Sequence, residues 1–207
     1  LTGAHLHIQH LTSGHGIELV RAGKAAGVNV TCEVTPHHMF LTEDAIGGDY
    51  NTALKVNPPL RTAADAQAII DAVVDGAVDC IVTDHAPHAD FEKAREFEEA
   101  PFGMTGIETS LGAVLTNLVN PGTISVSRMV ELMCVNPRAI IGIEPVKIEA
   151  GSVANLTAFD MDAEWDVTED YFQSKATNCG FTGAHFKGKA TDVFVKGTAK
   201  LRDGELL

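Results

Sequence analysis

Basic residues are scarce in this chain. Lysine and arginine total 15 against 28 aspartates and glutamates, a net charge of -13 over 207 residues. So acidic a balance argues against nucleic acid or anionic membrane as a partner, because both need a basic face. A small anionic substrate is still admitted where a pocket is locally positive. Long apolar runs are also missing: no stretch approaches the ~20 residues of a membrane span. Cysteine is limited to Cys32, Cys80, Cys134 and Cys179, widely spaced and with no C-x-x-C pair. That points to reduced thiols and a cytoplasmic setting rather than to a disulfide framework. There is no internal repeat, no low-complexity linker and no nucleotide-binding glycine fingerprint. Asn29-Val30-Thr31 and Asn155-Leu156-Thr157 match the glycosylation pattern, but both lie in strand-like runs and are discounted. The chain starts at Leu1, close to a strand-like run, with no visible signal peptide.

What is present is 45% hydrophobic and 21% charged, the texture of a globular domain. Residues 5–10 form a short extended run. Thr12 or Ser13 can cap a following helix that carries Ile17, Val20 and Ala25 and closes at Gly27. Residues 28–34, Val-Asn-Val-Thr-Cys-Glu-Val, are β-branched and strand-like. A long connection through Pro36-His37-His38 and Asn57-Pro58-Pro59-Leu60-Arg61 leads to Thr62-x-x-Asp65, a capping-box-like start. Ile69, Ile70, Val73 and Val74 then recur at helical spacing, Gly76 ends that helix, and residues 78–83 read as a third strand. Strand-helix-strand-helix-strand is the signature of parallel βαβ units. Helical segments are expected near 108–118 and 126–134, with a short one from Asn136-Pro137. After about residue 144 the texture becomes glycine-rich and strand-like, notably over 151–160 and 192–195, as in a small β appendage. A closed eight-stranded barrel needs roughly 250 residues. Three units and a β tail therefore suggest a small open sheet or the C-terminal part of a larger barrel.

The chemistry concentrates at strand ends. Asp84 closes the apolar run Cys80-Ile81-Val82 inside Thr83-Asp84-His85-Ala86-Pro87-His88. A carboxylate there is costly unless it is paired or binds metal. The C-terminal ends of parallel strands are where an α/β barrel presents its catalytic groups. His10 ends the first strand, so His10 and Asp84 can converge on a metal ion. His7 and His10 are three apart and should face opposite sides of a regular strand, so at most one should face a barrel interior. His88 reads as a substrate contact or a loop-surface residue. The adjacent His37 and His38 suit supporting roles better than ligation. Asn57 is stiffened by two prolines and could recognise an amide, or form a simple turn. Pro101-Phe102-Gly103-Met104-Thr105-Gly106 could offer backbone groups to a ligand.

Taken together, these runs resemble dihydroorotase, within the amidohydrolase superfamily. The matching pieces are His7-Ile8-Gln9-His10, Glu33-Val34-Thr35-Pro36-His37-His38, Asn57-Pro58-Pro59-Leu60-Arg61, Thr83-Asp84-His85-Ala86-Pro87-His88 and Ala100-Pro101-Phe102-Gly103. The resemblance implies the C-terminal part of a metal-dependent (β/α)8 TIM barrel over 1–144, about strands six to eight. A small β-sandwich segment over 145–207 would follow. It implies reversible cyclisation of N-carbamoyl-L-aspartate to dihydroorotate in pyrimidine synthesis, with Zn2+ as a binuclear cofactor. On this likeness His10 would bind one zinc, and Asp84 would bind the other and act as general acid/base. Asn57, His88, Phe102 and Gly103 would hold the small-molecule substrate. A homodimer or association with aspartate transcarbamoylase is the partner expectation. The family's first-strand histidine-x-histidine run, nearby arginine, bridging ligand and fifth-strand histidine have no counterpart after Leu1. The chain alone is therefore expected to lack stable zinc binding and turnover.

Three alternatives remain beside this one. Allantoinase and dihydropyrimidinase share the barrel and metal logic, but the Asn57–Arg61 and Pro101–Gly103 runs favour dihydroorotase. A non-catalytic dihydroorotase-like subunit of aspartate transcarbamoylase would be expected to lose ligands, whereas His10 and Asp84 are both here. A metal-free flavodoxin-like domain leaves the loop motifs unexplained.

Overall fold

The computed structural model describes residues 2–207. β1 (Leu6–Ile8), α1 (Gly14–Ala25), β2 (Val30–Val34), α2 (Pro36–Phe40), α3 (Ala63–Asp75) and β3 (Cys80–Ile81) follow one another along the first part of the chain. The three strands are parallel and lie side by side in the order β1-β2-β3. Their register puts His7 beside Thr31 and Glu33 beside Cys80.

The strand alternation sets the two faces of this sheet. Cys32 and Val34 of β2 and Ile81 of β3 bury against Ile17 and Val20 of α1 and Ile69 and Val73 of α3. Thr31, Glu33 and Cys80 take the other face. The Ser13 side chain accepts from the Gly16 amide to cap α1, and Thr62 caps α3 by accepting from the Asp65 amide. Asp65 answers twice: its Oδ2 accepts the Thr62 hydroxyl at 2.8 Å and its Oδ1 accepts the Gly14 amide at 2.9 Å. One carboxylate thus ties the starts of both helices together. Gly76 closes α3 at φ 89°, a left-handed conformation that glycine adopts without steric cost.

The strands are shorter than their sequence suggests. The third stops at Ile81, with one further bond from the Val82 amide to the Val34 carbonyl at 2.9 Å. The chain then swings out of the ladder, and Asp84 sits at φ 44°. The connection after β2 contains α2, which the sequence reading passed over. Thr35 caps it by accepting from the His38 amide, and Pro36 begins it, both regular helix-start signals.

Beyond β3 come α4 (Asp90–Lys93) and α5 (Ile107–Val114), the latter running into a π-turn over Leu115–Val119. α6 (Val126–Val130) runs into a second π-turn over Glu131–Val135, and α7 (Asn136–Ile140) begins as expected at Asn136. The tail is a single four-stranded antiparallel sheet of β4 (Leu156–Asp166), β5 (His185–Val195), β6 (Thr198–Arg202) and β7 (Glu205–Leu206). Its long strands outrun the 151–160 and 192–195 segments expected from sequence.

The tail is welded to the first part by a second core. Phe172, Cys179, Phe181 and Phe186 bury together with Leu54, Leu60, Met104 and Ala113. Gly112 of α5 permits a close approach to the tail. A Cβ there would lie 2.7 Å from Trp165 Cζ2 and 3.0 Å from Phe186 Cδ2, inside van der Waals contact.

Candidate active site

His10 and Asp84 meet at the C-terminal ends of β1 and β3. His10 Nε2 lies 3.6 Å from Asp84 Oδ1, and both side chains are about one-fifth exposed. Neither residue belongs to its strand's regular geometry. His10 has φ 50° and Asp84 φ 44°, left-handed backbone that costs a non-glycine residue roughly 1–3 kcal/mol. That turn corrects the expectation that His7 and His10 face opposite sides. Alternation ends at Ile8, and the positive φ of His10 brings its ring back over the polar face. His7 Nε2 is 2.9 Å from Glu33 Oε2 and His10 Nδ1 is 2.9 Å from Glu33 Oε1.

Glu33 is therefore the carboxylate beneath the site, and sequence reasoning assigned it no role. It is nearly buried, and burial alone would raise its pKa; His10 and His7 outweigh that and hold it below the usual carboxylate range. The same contact with Glu33, against an opposing desolvation, raises the pKa of His10. The His10–Glu33 approach is close but poorly aligned, and both facing atoms lack a well-directed hydrogen bond. Below it, donor atoms of His7, Glu33 and Cys80 all lie within 4.8 Å of one another. Burial pushes the Cys80 thiol up to about 12, so it stays protonated while no metal engages it.

The adjacent histidines of α2 divide their work. His38 Nδ1 takes the Thr35 hydroxyl at 2.7 Å and its Nε2 donates to the Pro58 carbonyl at 2.8 Å. This is the supporting role expected for it. His37 goes further: it is fully buried, its Nε2 has no hydrogen-bond partner, and that atom lies 3.9 Å from Asp84 Oδ2. Burial, with His38 and His10 nearby, holds its pKa well below the ordinary histidine value, so the ring is neutral. A strand-end carboxylate flanked by two imidazoles can hold a cation or move a proton.

The other predicted residues form a second group. His88 Nε2 donates to the Phe102 carbonyl at 2.9 Å, which brings these two together. Gly103 sits at φ 128°, and a Cβ there would come within 2.5 Å of Ala86 Cβ. Its amide donates to the Lys55 carbonyl at 2.8 Å, and its carbonyl accepts from Lys93 Nζ at 2.9 Å and Asn178 Nδ2 at 3.2 Å. Lys55 is buried with Nζ donating to the carbonyls of Phe97, Glu98 and Ala100. Lys93 is buried beside it, and desolvation with the Lys55 charge brings its pKa down to about 8. Phe102 is exposed, with Lys55 Nζ 4.6 Å from its ring centre. Asn57 is exposed, and the carbonyl of the next residue, Pro58, is held by His38. His85, the other imidazole of the Asp84 loop, is turned away to cap α5. Its Nδ1 accepts from the Gly106 amide at 3.1 Å.

This chain is similar to characterised enzymes along its length. The amidohydrolase family description matches residues 2–200. A dihydroorotase from Chlorobaculum tepidum is 44% identical over 189 residues, covering 91% of this chain and 43% of that protein. One from Acetivibrio thermocellus is 43% identical over 202 residues, covering 98% of this chain and 47% of that protein. Among solved structures, the L-hydantoinase (dihydropyrimidinase) from Arthrobacter aurescens superposes with a TM-score of 0.90 at 32% identity. That match covers 99% of this chain and 46% of the hydantoinase. The chain spans about half the length of the relatives it matches. With parallel strands ending in His10 and Asp84 and a family match over nearly every residue, the chain belongs to the amidohydrolase family.

Proposed function

We propose that this chain is the C-terminal part of a dihydroorotase. β1, β2 and β3 would be the sixth to eighth strands of its (β/α)8 barrel, and the tail part of a small β-sandwich domain. The whole enzyme would interconvert N-carbamoyl-L-aspartate and dihydroorotate. The observation that carries this reading is the His10–Asp84 approach at 3.6 Å, on a chain 43–44% identical to two dihydroorotases. A cytoplasmic setting is consistent with four free cysteines, three of them buried.

The residues present suit a metal. His10 Nε2 and the Asp84 carboxylate are the N and O donors zinc takes, and His37 Nε2 is a buried polar atom left without a partner beside them. His10 would hold one zinc and Asp84 the other. Zinc, when bound, polarises a carbonyl as a Lewis acid. The chain's own part is proton transfer and substrate placement. In the hydrolytic direction Asp84 takes the proton of the attacking water and delivers it to the ring nitrogen as the C–N bond breaks. In cyclisation the same carboxylate removes a proton from the carbamoyl nitrogen as it attacks the side-chain carboxyl carbon, and returns that proton to the oxygen that leaves as water. Glu33 holds His10 from behind, while His88, Asn57 and the Phe102–Gly103 backbone bind the substrate.

The test is to assay the full-length enzyme on dihydroorotate, dihydrouracil and allantoin. Dihydroorotate should be preferred, and Asp84→Asn should lower kcat by about 10²–10⁴, the usual worth of a general acid/base. Faster turnover of dihydrouracil would replace this reading with a dihydropyrimidinase-type one, towards which the Arthrobacter aurescens likeness points.

A further inference from the structure

Asn178 lies in the tail, in the connection between β4 and β5, yet its side chain is buried among the loops that follow β3. Its Oδ1 accepts from the His88 amide at 3.0 Å, across 90 residues of sequence. Its Nδ2 donates to the Gly103 carbonyl at 3.2 Å and reaches the Ala86 carbonyl at 3.5 Å. Its own carbonyl accepts from the Thr105 amide at 2.9 Å. The partners fix which end of the amide is which, since one arm faces an N–H and the other faces two carbonyls. No other side chain of that size offers an acceptor and a donor in this arrangement. An aspartate has no donor for Gly103, and an aliphatic residue would leave the His88 amide without its acceptor.

We propose that Asn178 is a positioning residue, supplied by the tail, that fixes His88 against the Phe102–Gly103 backbone. This rests on the reading above, in which His88 and that backbone hold the substrate. The bonds form a closed ring: His88 Nε2 to the Phe102 carbonyl, Phe102 to Gly103 along the chain, Gly103 to Asn178, and Asn178 back to the His88 amide. Gly103 is consumed in the construction. Its carbonyl already takes both Lys93 Nζ and Asn178 Nδ2, and its amide is given to Lys55. Gly103 therefore holds the substrate through the shape of its backbone, and polar contacts are left to its neighbours. The anchor itself is firm. Cys179 and Phe181, just past Asn178, bury in the core shared with Leu54 and Met104. Shifting the tail would therefore shift His88.

Two measurements test this. The first is amide hydrogen exchange on the chain itself. Asn178→Ala should speed exchange at His88 by about tenfold, the scale of one lost buried hydrogen bond, with β2 amides unchanged. Asn178→Asp, which loses the Nδ2 donor and sets a carboxylate oxygen against the Gly103 and Ala86 carbonyls, should likewise speed exchange at His88 with β2 unchanged. Unchanged exchange at His88, or acceleration in step with β2, would overturn the proposal, the second because it marks general destabilisation. The second measurement is kinetic, on the full-length enzyme. Asn178→Ala should raise KM for dihydroorotate severalfold with kcat little altered, as should His88→Asn. A higher KM in His88→Asn alone overturns the positioning role. No KM change in His88→Asn overturns the substrate reading of His88 instead, and leaves the exchange result to decide the clamp.

Discussion

Acid should unfold this protein partly through His38. The ring is buried, its Nδ1 is the acceptor of the Thr35 hydroxyl, and its Nε2 proton is given to the Pro58 carbonyl. Charging it needs a proton on Nδ1, inside the protein and against a hydroxyl that must then turn round. Burial accordingly lowers its pKa from 6.5 to about 4, with the Pro58 bond opposing. The folded value lies below the unfolded one, so the unfolded chain takes up the proton first as pH falls. Stability is complete above pH 6.5, drains between 6.5 and 4, and stays low beneath. Lowering the pKa from 6.5 to about 4 gives a loss of about 3 kcal/mol by pH 4, at about 1.36 kcal/mol per pH unit, most of it below pH 6. Carboxylates titrate in part of the same range, so the measurement is a difference. Urea unfolding of wild type and His38→Gln should be followed at half-unit steps from pH 7.5 to 4. Glutamine cannot charge, so the stability gap favouring wild type at pH 7 should narrow by about 3 kcal/mol or reverse. A gap independent of pH would refute the reasoning, because it would mean that His38 protonates as easily folded as unfolded.

Other outcomes follow from the same geometry. Gly112→Ala pushes a Cβ to 2.7 Å from Trp165 and should cost about 1–3 kcal/mol as overpacking, read by thermal melting. Trp165 fluorescence should report the disturbance directly. Lys55→Met strips the donor from three loop carbonyls and should cost about 3 kcal/mol or more in urea unfolding, with faster proteolysis between residues 97 and 103. An unchanged cleavage rate would show that the loop holds without the ammonium. The isolated chain should surrender zinc readily to a chromophoric chelator. Zinc retained in Asp84→Asn and His10→Ala would instead place the ion on His7, Glu33 and Cys80.

Much of the frame was legible. The Thr62 cap, the Gly76 stop and the β-branched run of β2 act over a few residues and were readable where they stood, while the first cap was narrowed to Thr12 or Ser13 and the structure gives it to Ser13. The strand-helix-strand order gave the parallel sheet, because parallel neighbours need a crossover. The pairing of Asp84 with His10 was anticipated from their places at strand ends. The α2 helix was readable too, from Thr35 and Pro36, but its five residues carry no periodicity to announce it. The His7–His10 expectation failed because it assumed a strand that runs to His10, and the backbone leaves the strand at Ile8.

By itself, then, the sequence determined most local elements, the acidic charge of the chain, the lack of an apolar run long enough to cross a membrane, and the residue types at the strand ends. The order of its motifs points to the amidohydrolase family. Only the tertiary structure decided how those residues meet: Glu33 beneath both His7 and His10, His37 buried against Asp84, and Asn178 reaching back from the tail to His88. The physical reason is range. Caps and alternation are encoded within a few residues. A hydrogen bond spanning 90 residues depends on where two cores place the chain, and the Gly112–Trp165 approach that seats the tail leaves no mark in the sequence except a glycine.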